Sequence, residues 1–344
     1  QGGVPGVGRV AQAEGFDGGV GQSAFFAQVG QDVLVGEQMT AVEDDRVLQQ
    51  FAEVFVGFLL LGCFPRELRD FHARGFEIGL HIHPWWYNAR REDGAWVLDQ
   101  SEYNLCTLPF DRIGAVVRRA IGYMRDLLEA PEFTPISFRA GHLLFQPTQP
   151  LAGLLAAEGI RLDSSVYKGG LWRLHELDYR RAPQKDLYWR FGSEVTRPDP
   201  SGNLLEIPIY TRMVPVWRLL TRKRVGLQQA GTSKAQAGRK ALGRLTDLLR
   251  FRYPLKFDLG QMTEEELDAT MDRLLDEDGR DPSRFRPVVA IMHTKDPIDL
   301  RAVSGLLARL GRCGVPVSTF AAIESRVRAL ADGTSSIPPQ RIVP

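Results

Sequence analysis

The sequence predicts an α/β fold, built as a mostly parallel sheet or a barrel. Some short segments alternate apolar with polar residues, which is typical of strands, while others repeat apolar residues every three or four positions, which is typical of amphipathic helices. The two kinds of segment alternate along the chain from about residue 65 to residue 325. An order of strand, helix, strand and helix predicts parallel strands joined by helices.

The composition is that of an ordinary globular protein. Of the 344 residues, 44% are hydrophobic and 25% are charged, and the formal net charge is +1. These values exclude a disordered tail, a collagen-like repeat and a membrane bundle, and they give no whole-molecule reason to expect nucleic-acid binding. The three cysteines are widely spaced without a C-x-x-C pair, which favours free thiols in a reducing compartment. We therefore expect a cytoplasmic protein.

The individual elements follow from the periodicity. The first helix is predicted at 66–74 and ends at Gly75, a residue favoured just past a helix C-terminus. A strand at 76–83 and a long amphipathic helix at 111–129 have the clearest patterns. The remaining predictions are strands at 135–141, 160–165, 204–210, 288–293 and 315–320 and helices at 150–158, 263–276 and 300–310.

The N-terminal segment, residues 1–64, differs from the rest in composition. Residues 1–77 contain no Lys, Ile, Asn, Tyr or Trp, although all five occur repeatedly later. Since Lys, Ile, Asn and Tyr share AT-rich codons, two explanations stay open: a genuine Gly-rich, acidic segment, or a GC-rich gene translated out of frame. Residues 65–330 are predicted as the barrel, and residues 331–344 as a C-terminal tail.

A basic insertion is predicted within the barrel at residues 212–256. It contains twelve Lys or Arg residues against one acidic residue, Asp247, and its leucines at 242, 245, 248 and 249 form an apolar stripe beside basic residues. Two interpretations stay open. One is a solvated helix packed on the barrel, and the other is a basic helix in peripheral contact with an anionic membrane or a polyanion.

Two histidines near a strand end are the first candidates for chemistry. His81 and His83 flank Ile82, and a two-residue step along a strand covers about 6.6 Å and returns to the same face. Two imidazoles so placed can converge on one metal ion such as Zn²⁺. The alternative is a hydrogen-bonded core histidine with an accidental neighbour. Because α/β barrels place their sites at the C-terminal ends of strands, we favour the metal.

Five further residues are candidates, each with a plainer alternative. His293 ends an apolar strand, where a histidine is either functional or structural. Arg139 lies in an apolar strand, so it requires a carboxylate partner or an anionic intermediate. Asp163 either contacts a ligand or makes a turn with the serines after it. Trp85 offers a flat face to a sugar ring or belongs to the core, and His142 is placed for substrate contact.

A family resemblance arises from these same strings. EIGLHIHPW, at 77–85, resembles the second motif of the NodB-like polysaccharide deacetylases, in which a strand ending Glu-Ile-Gly delivers metal-binding histidines. Four shorter strings follow in the order of that family and resemble its arginine motif, a strand-end motif, a later strand and its final histidine motif. They are FRAG at 138–141, LDSS at 162–165, EIP at 206–208 and IMH at 291–293.

The resemblance implies a distorted (β/α) barrel of the polysaccharide deacetylase type. It also implies a hydrolase of carbon–nitrogen bonds other than peptide bonds, which uses a divalent metal, most often Zn, to remove N-acetyl groups from a carbohydrate or glycoconjugate. His81 and His83 would bind the metal, His293 would protonate the leaving amine, and Arg139 would orient a catalytic aspartate.

The chain departs from the family pattern in two places. Position 85 is Trp rather than a second histidine four residues after the first. His83 would therefore be the second metal ligand, as in the divergent His-x-His-Pro branch of the family. A first-motif Phe-Asp-Asp string is not recognisable, and Asp17, Asp44 and Asp45 are only remote candidates for the base and third ligand. Two rivals therefore stay open: an amidohydrolase or PHP-type hydrolase, and a catalytically dead deacetylase-like protein that binds glycan or membrane.

Overall fold

The computed structural model describes residues 26–29, 33–37, 64–92, 95–97, 100–215, 217, 252–292 and 300–333. Several predicted features lie outside these ranges. They are most of the N-terminal segment 1–64, including Asp17, Asp44 and Asp45, residues 218–251 of the basic insertion, His293, and residues 334–344 of the tail.

The described part of the chain contains thirteen strands and six α-helices. The strands are β1 (Phe26–Val29), β2 (Val33–Glu37), β3 (Phe76–Ile82), β4 (Arg90–Glu92), β5 (Ala95–Val97), β6 (Ser137–Ala140), β7 (Leu162–Asp163), β8 (Leu171–Trp172), β9 (Leu177–Asp178), β10 (Trp189–Phe191), β11 (Leu204–Glu206), β12 (Thr211–Pro215) and β13 (Arg252–Lys256). The helices are α1 (Phe64–Ala73), α2 (Phe110–Leu128), α3 (Gln149–Ala157), α4 (Glu264–Arg280), α5 (Leu300–Arg312) and α6 (Phe320–Ala331).

The main sheet has a parallel centre. Its strand order is β1-β2-β3-β6-β7-β11-β10, in which β3, β6, β7 and β11 run parallel and the strands at either edge pair antiparallel. Parallel bridges extend the pairing beyond β11, from Ile209 to Val289 and from Ile291 to Asp258. The predicted α/β class with mostly parallel strands is confirmed. The parallel strands bring their carboxyl ends to one edge.

The predicted helices are confirmed, with ends shifted by a few residues. The apolar stripe of α2 is buried, including Ile113, Val117 and Ile121, and the helix packs on α1 and β3. Gly75 ends α1 at a φ of +86°, which L side chains rarely adopt. Within the described ranges, none of the helices combines the length and apolar character that a bilayer span requires.

The predicted strand at 315–320 is wrong. Residues 315–319 form no strand, and α6 begins at Phe320. The backbone N–H of Val315 donates to Leu310 O at 2.9 Å and completes the end of α5, while Thr319 Oγ1 accepts from Ala322 N at 3.0 Å and caps α6. Two of the β-branched residues that suggested a strand therefore form hydrogen bonds at helix ends, one at the end of α5 and one at the start of α6.

Glu77 anchors the strand that carries the candidate histidines. Its carboxylate accepts hydrogen bonds from Ser137 Oγ at 2.7 Å and from the backbone N–H of Ala321 at 2.8 Å. The second bond places a carboxylate at the N-terminus of α6, where the helix dipole favours negative charge. Burial nevertheless raises the pKa of Glu77. One side chain thus ties β3 to β6 and to α6.

Candidate functional site

The two candidate histidines converge at the carboxyl end of β3. His81 Nε2 lies 3.1 Å from His83 Nε2, and the ring planes are perpendicular with centroids 4.8 Å apart. His81 is 2% exposed. The two-residue spacing on a strand therefore brings both rings together, as the sequence predicted. We call these two residues the histidine pair.

The hydrogen bond of His81 fixes which ring nitrogen faces its neighbour. Nδ1 lies 2.8 Å from the backbone carbonyl oxygen of Arg139, and these two residues are register partners in β3 and β6. A carbonyl oxygen only accepts, so Nδ1 carries the proton and donates. In a neutral ring the lone pair is then on Nε2, the atom that faces His83. Carbonyl-oriented histidines of this kind are common metal ligands.

The geometry of the pair fits two ligands of one divalent metal. Nitrogens that bind a tetrahedral Zn²⁺ at about 2.0–2.1 Å lie about 3.3–3.4 Å apart, and the observed separation is 3.1 Å. In the described part of the chain, no group of three His, Cys, Asp or Glu residues could hold a metal. His81 and His83 would supply two ligands of such an ion, although 3.1 Å is also a hydrogen-bond distance between the two rings, and the aspartates considered for the third ligand lie outside the described residues.

Gly141 allows the strand ends to approach each other. A Cβ at this position would lie 2.3 Å from Ile82 O and 3.0 Å from His83 Nδ1. The contact with Ile82 O is shorter than real Cβ atoms show and involves backbone that cannot rotate away, whereas the contact with His83 is tight but not prohibited. The glycine of the FRAG string therefore has a packing reason: it lets the end of β6 pass beside the histidine pair.

The turn after Gly141 is strained and directs His142 toward His83. His142 and Leu143 have φ values of +55° and +63°, which are uncommon for residues other than glycine. Tyr179 holds this turn, because its hydroxyl donates to Leu143 O at 2.8 Å and accepts from Phe145 N at 3.0 Å. The ring of His142 meets that of His83 edge-on at 4.4 Å. Such strain is often retained at functional sites.

Aromatic rings continue outward from the histidine pair. We call Trp85, Tyr103, His142, Trp172 and His175 the aromatic cluster. Tyr103 stacks between His142 and His175, with centroids 4.4 Å and 4.2 Å away. Trp85 stacks on His83 at 5.6 Å, and Trp172 meets His175 at 4.4 Å. Trp85 and His142 were expected near the site, whereas Tyr103, Trp172 and His175 were missed.

The small number of histidines in the sequence is a signal that could have pointed to one of the missed residues, His175. The chain has only six histidines, and four of them lie in the histidine pair or the aromatic cluster. Asn104 fixes this region, because its side-chain amide donates to Gln146 O at 2.8 Å and to His175 O at 3.4 Å. These contacts join loops 42 and 71 residues apart along the chain. Local periodicity cannot reveal such pairings.

Arg139 lies in a separate buried ion cluster with Asp163 and Glu206. All three residues are 0% exposed. Arg139 Nε donates to Ser164 O at 2.8 Å and Nη2 donates to Ser164 Oγ at 3.2 Å, while Nη1 is buried without a hydrogen-bond partner among the described residues. The cluster spans β6, β7 and β11, so it joins three parallel strands.

Asp163 shows the turn geometry that the sequence left open as its alternative. Its carboxylate accepts from Ser165 N at 3.0 Å and from Ser165 Oγ at 2.7 Å, and Ser165 Oγ also accepts from Ala140 N at 2.8 Å. Glu206 accepts from Val166 N at 3.1 Å. Asp163 is enclosed by protein groups and does not join the aromatic cluster.

Burial controls the charge of the ion cluster. It raises the pKa of Glu206 well above its ordinary value, and the negative charge of Asp163 raises it further. Burial also raises the pKa of Asp163 and lowers that of Arg139 to about 10, against the opposing effect of both carboxylates. Burial therefore disfavours the charged forms of both carboxyl groups, and the protonation of each depends on that of the other.

Comparison of the chain with family models, with curated proteins and with solved structures gives no match. The motifs and the geometry of the described side chains therefore carry the functional assignment.

Proposed function

We propose that the chain is a metal-dependent hydrolase that removes N-acetyl groups from a carbohydrate or glycoconjugate. The observation that carries this proposal is the histidine pair, whose Nε2 atoms lie 3.1 Å apart while Arg139 O engages the other nitrogen of His81. The pair lies at the carboxyl end of a parallel strand, where α/β folds place their sites. Zn²⁺ is the ion that suits these ligands best.

In this proposal each described residue has a defined task. A bound divalent metal supplies a water of lowered pKa and polarises the substrate carbonyl. His81 and His83 hold it, and Gly141 lets the two strand ends come close enough to do so. The carbonyl of Arg139 keeps the ring of His81 oriented. His293 is proposed to donate a proton to the leaving amine.

The side chain of Arg139 is proposed to position the catalytic base. Its Nη1 atom is buried and has no hydrogen-bond partner among the described residues, so the guanidinium has a donor left for a further acceptor. A carboxylate there would be kept ionised by the neighbouring cation. Asp17, Asp44 and Asp45 stay the candidates for that base.

The aromatic cluster supports a carbohydrate substrate. Indole and phenol rings offer flat apolar faces that suit the C–H faces of sugar rings, with a polar edge for hydroxyl groups. Trp172 is 37% exposed and is the most accessible large ring of this cluster. We propose that Trp85 and Trp172 contact the sugar and that His142 contacts the acetamido group.

A distorted barrel of the deacetylase type is part of the same proposal. The parallel order β3-β6-β7-β11 and the bridges that continue it through Val289 and Ile291 to Asp258 support a sheet that curves around a common centre.

The test is acetate release from an N-acetylglucosamine oligomer by the full chain. We expect activity that a chelator abolishes and added Zn²⁺ restores, and a loss of at least about 100-fold in His83→Ala. His72→Ala is the matched control, because His72 lies on α1 and contacts Phe133 rather than the pair. Acetate release that survives both the chelator and His83→Ala would contradict the proposal. A chain that binds metal but releases no acetate would favour the catalytically dead alternative.

A further inference from the structure

A concave site lies apart from the histidine pair. A cavity of about 460 Å³ opens between the antiparallel strands β12 and β13, helix α4 and the loops at 184–187 and 284–287. We call it the basic pocket. Seven of its eighteen lining residues are Lys or Arg, and one, Glu277, is acidic. None of its lining residues belongs to the histidine pair or the aromatic cluster, so the pocket is independent of the function proposed above.

The positive charges of the basic pocket come from several elements. Strand β12 contributes Arg212, β13 contributes Arg252, and α4 contributes Arg273. Glu277 is shared by two guanidiniums: its carboxylate accepts from Arg273 Nε at 2.8 Å and lies 3.7 Å from Arg286 Nη1. The single carboxylate of Glu277 therefore offsets the charge of two guanidinium groups.

The other five basic residues of the pocket form no ion pair with a carboxylate of the described residues. They are Lys168, Lys185, Arg212, Arg252 and Arg284. Where they have hydrogen-bond partners, these are backbone carbonyls: Arg284 donates to Lys185 O at 2.6 Å, and Arg212 to Ala269 O at 3.5 Å. Carbonyl contacts orient a cation without neutralising its charge.

Lys168 lies at the enclosed end of the basic pocket. Its ammonium donates to the carbonyls of Asp186 and Gln184 and lies 5.7 Å from the centre of the Trp189 ring. Burial lowers the pKa of Lys168 to about 8; the positive charge of Arg284 lowers it as well, while the negative charges of Asp186 and Glu206 oppose this change. Nearby, Arg286 Nε is buried without a hydrogen-bond partner among the described residues.

The segment of the chain between β12 and β13 is itself basic in composition. Residues 218–250 contain nine Lys or Arg residues and one acidic residue. A concave surface with an excess of cations focuses a positive potential and attracts anions. Guanidinium groups match phosphate oxygens with paired hydrogen bonds, and lysine adds a point charge. The cavity volume lies within the range of small-molecule sites, which is about 300–1,000 Å³.

We propose that the basic pocket binds a phosphate ester that carries at least two negative charges. Such a group is found both in free phosphorylated metabolites and in phosphorylated lipid headgroups, and the pocket recognises the chemistry that they share.

The test is calorimetric titration of the full chain with inorganic pyrophosphate, and sedimentation with vesicles of neutral lipid containing or lacking phosphatidic acid. We expect pyrophosphate to bind, and Lys168→Met and Arg284→Gln each to weaken binding at least about tenfold. Arg66→Gln removes one exposed charge from α1 and serves as the matched control. His83→Ala should bind pyrophosphate as the unaltered chain does. Thermal melting of Arg284→Gln checks that a loss of binding is not a loss of folding.

Each outcome decides the proposal. Binding of pyrophosphate that is lost in the pocket variants supports a site for free phosphate esters, and vesicle binding lost in the same variants supports a headgroup. Absence of binding to both probes overturns the proposal. Equal weakening by Arg66→Gln and Arg284→Gln also overturns it, because attraction to the surface as a whole would then explain the binding.

Discussion

The buried ion cluster and the histidine pair lie on neighbouring strands of one sheet, but they use their polar atoms differently. Arg139, Asp163 and Glu206 are fully enclosed and bond mainly to serines and backbone of the same strands. The histidine pair lies at the strand end and brings two imidazole nitrogens within 3.1 Å of each other. Since His81 and Arg139 are register partners, the comparison teaches that residues at one level of a sheet can differ in which groups surround their polar atoms.

Removal of the cation from the ion cluster should have the largest effect on stability. Arg139→Met removes the buried cation whose charge acts on Asp163 and Glu206 together with its hydrogen bonds to Ser164, and removal of one charge from a buried set of opposite charges costs about 3–5 kcal/mol. Arg118→Met is the control, because Arg118 is exposed and pairs with Glu158 at 3.6 Å, so we expect about 1 kcal/mol or less. Urea unfolding measures both. Equal losses in the two variants would show that the ion cluster does not hold the strands together.

Addition of a methyl group beside the histidine pair should have the next largest effect. Gly141→Ala forces a Cβ against Ile82 O, and overpacking of this kind costs about 1–3 kcal/mol. The displaced strand end should also abolish metal binding by His83. Gly122→Ala is the matched control, since a Cβ there meets no atom within 4 Å and should add about 0.5–1 kcal/mol in mid-helix. A Gly141→Ala variant as stable as the unaltered chain would contradict the tight approach of β6 to β3.

The sequence was sufficient to predict the helices, the central parallel strands and part of the site. Periodicity predicted α2 and β3, and the two-residue spacing placed His81 and His83 on one side. The prediction failed at 315–320 because β-branched residues are typical of strands, whereas here Thr319 caps α6 with its hydroxyl and Val315 closes α5 through its backbone N–H. It also missed Tyr103, Trp172 and His175, which meet only when distant loops fold together.

The pH dependence of stability should distinguish the ion cluster from an ordinary surface carboxylate. The folded pKa of Glu206 is raised above its ordinary value of 4.5, so the folded state binds more protons than the unfolded state between these two values. Stability should therefore fall as pH rises through that window. Glu206→Gln cannot ionise and should gain stability relative to the unaltered chain as the pH rises above 4.5. Parallel stability profiles for the two proteins would contradict the raised pKa of Glu206.

The smallest effect is expected in the aromatic cluster. Tyr103→Leu removes two stacked contacts at 4.2 Å and 4.4 Å, and aromatic pairs contribute about 0.5–1.5 kcal/mol each beyond the area that they bury. We expect a loss of about 1–2 kcal/mol in urea unfolding. Tyr123→Leu is the control, because Tyr123 is 56% exposed on α2. If both substitutions cost the same, the stacking would contribute nothing to the stability of the site.

The most direct test is the metal content of the purified chain by elemental analysis. Because the Nε2 atoms of His81 and His83 face each other at 3.1 Å, we expect about one divalent metal ion per chain. His81→Ala and His83→Ala should each lose this ion, while His72→Ala retains it. Equal metal content in all four proteins, or no metal in the unaltered chain after incubation with Zn²⁺, would contradict the central claim.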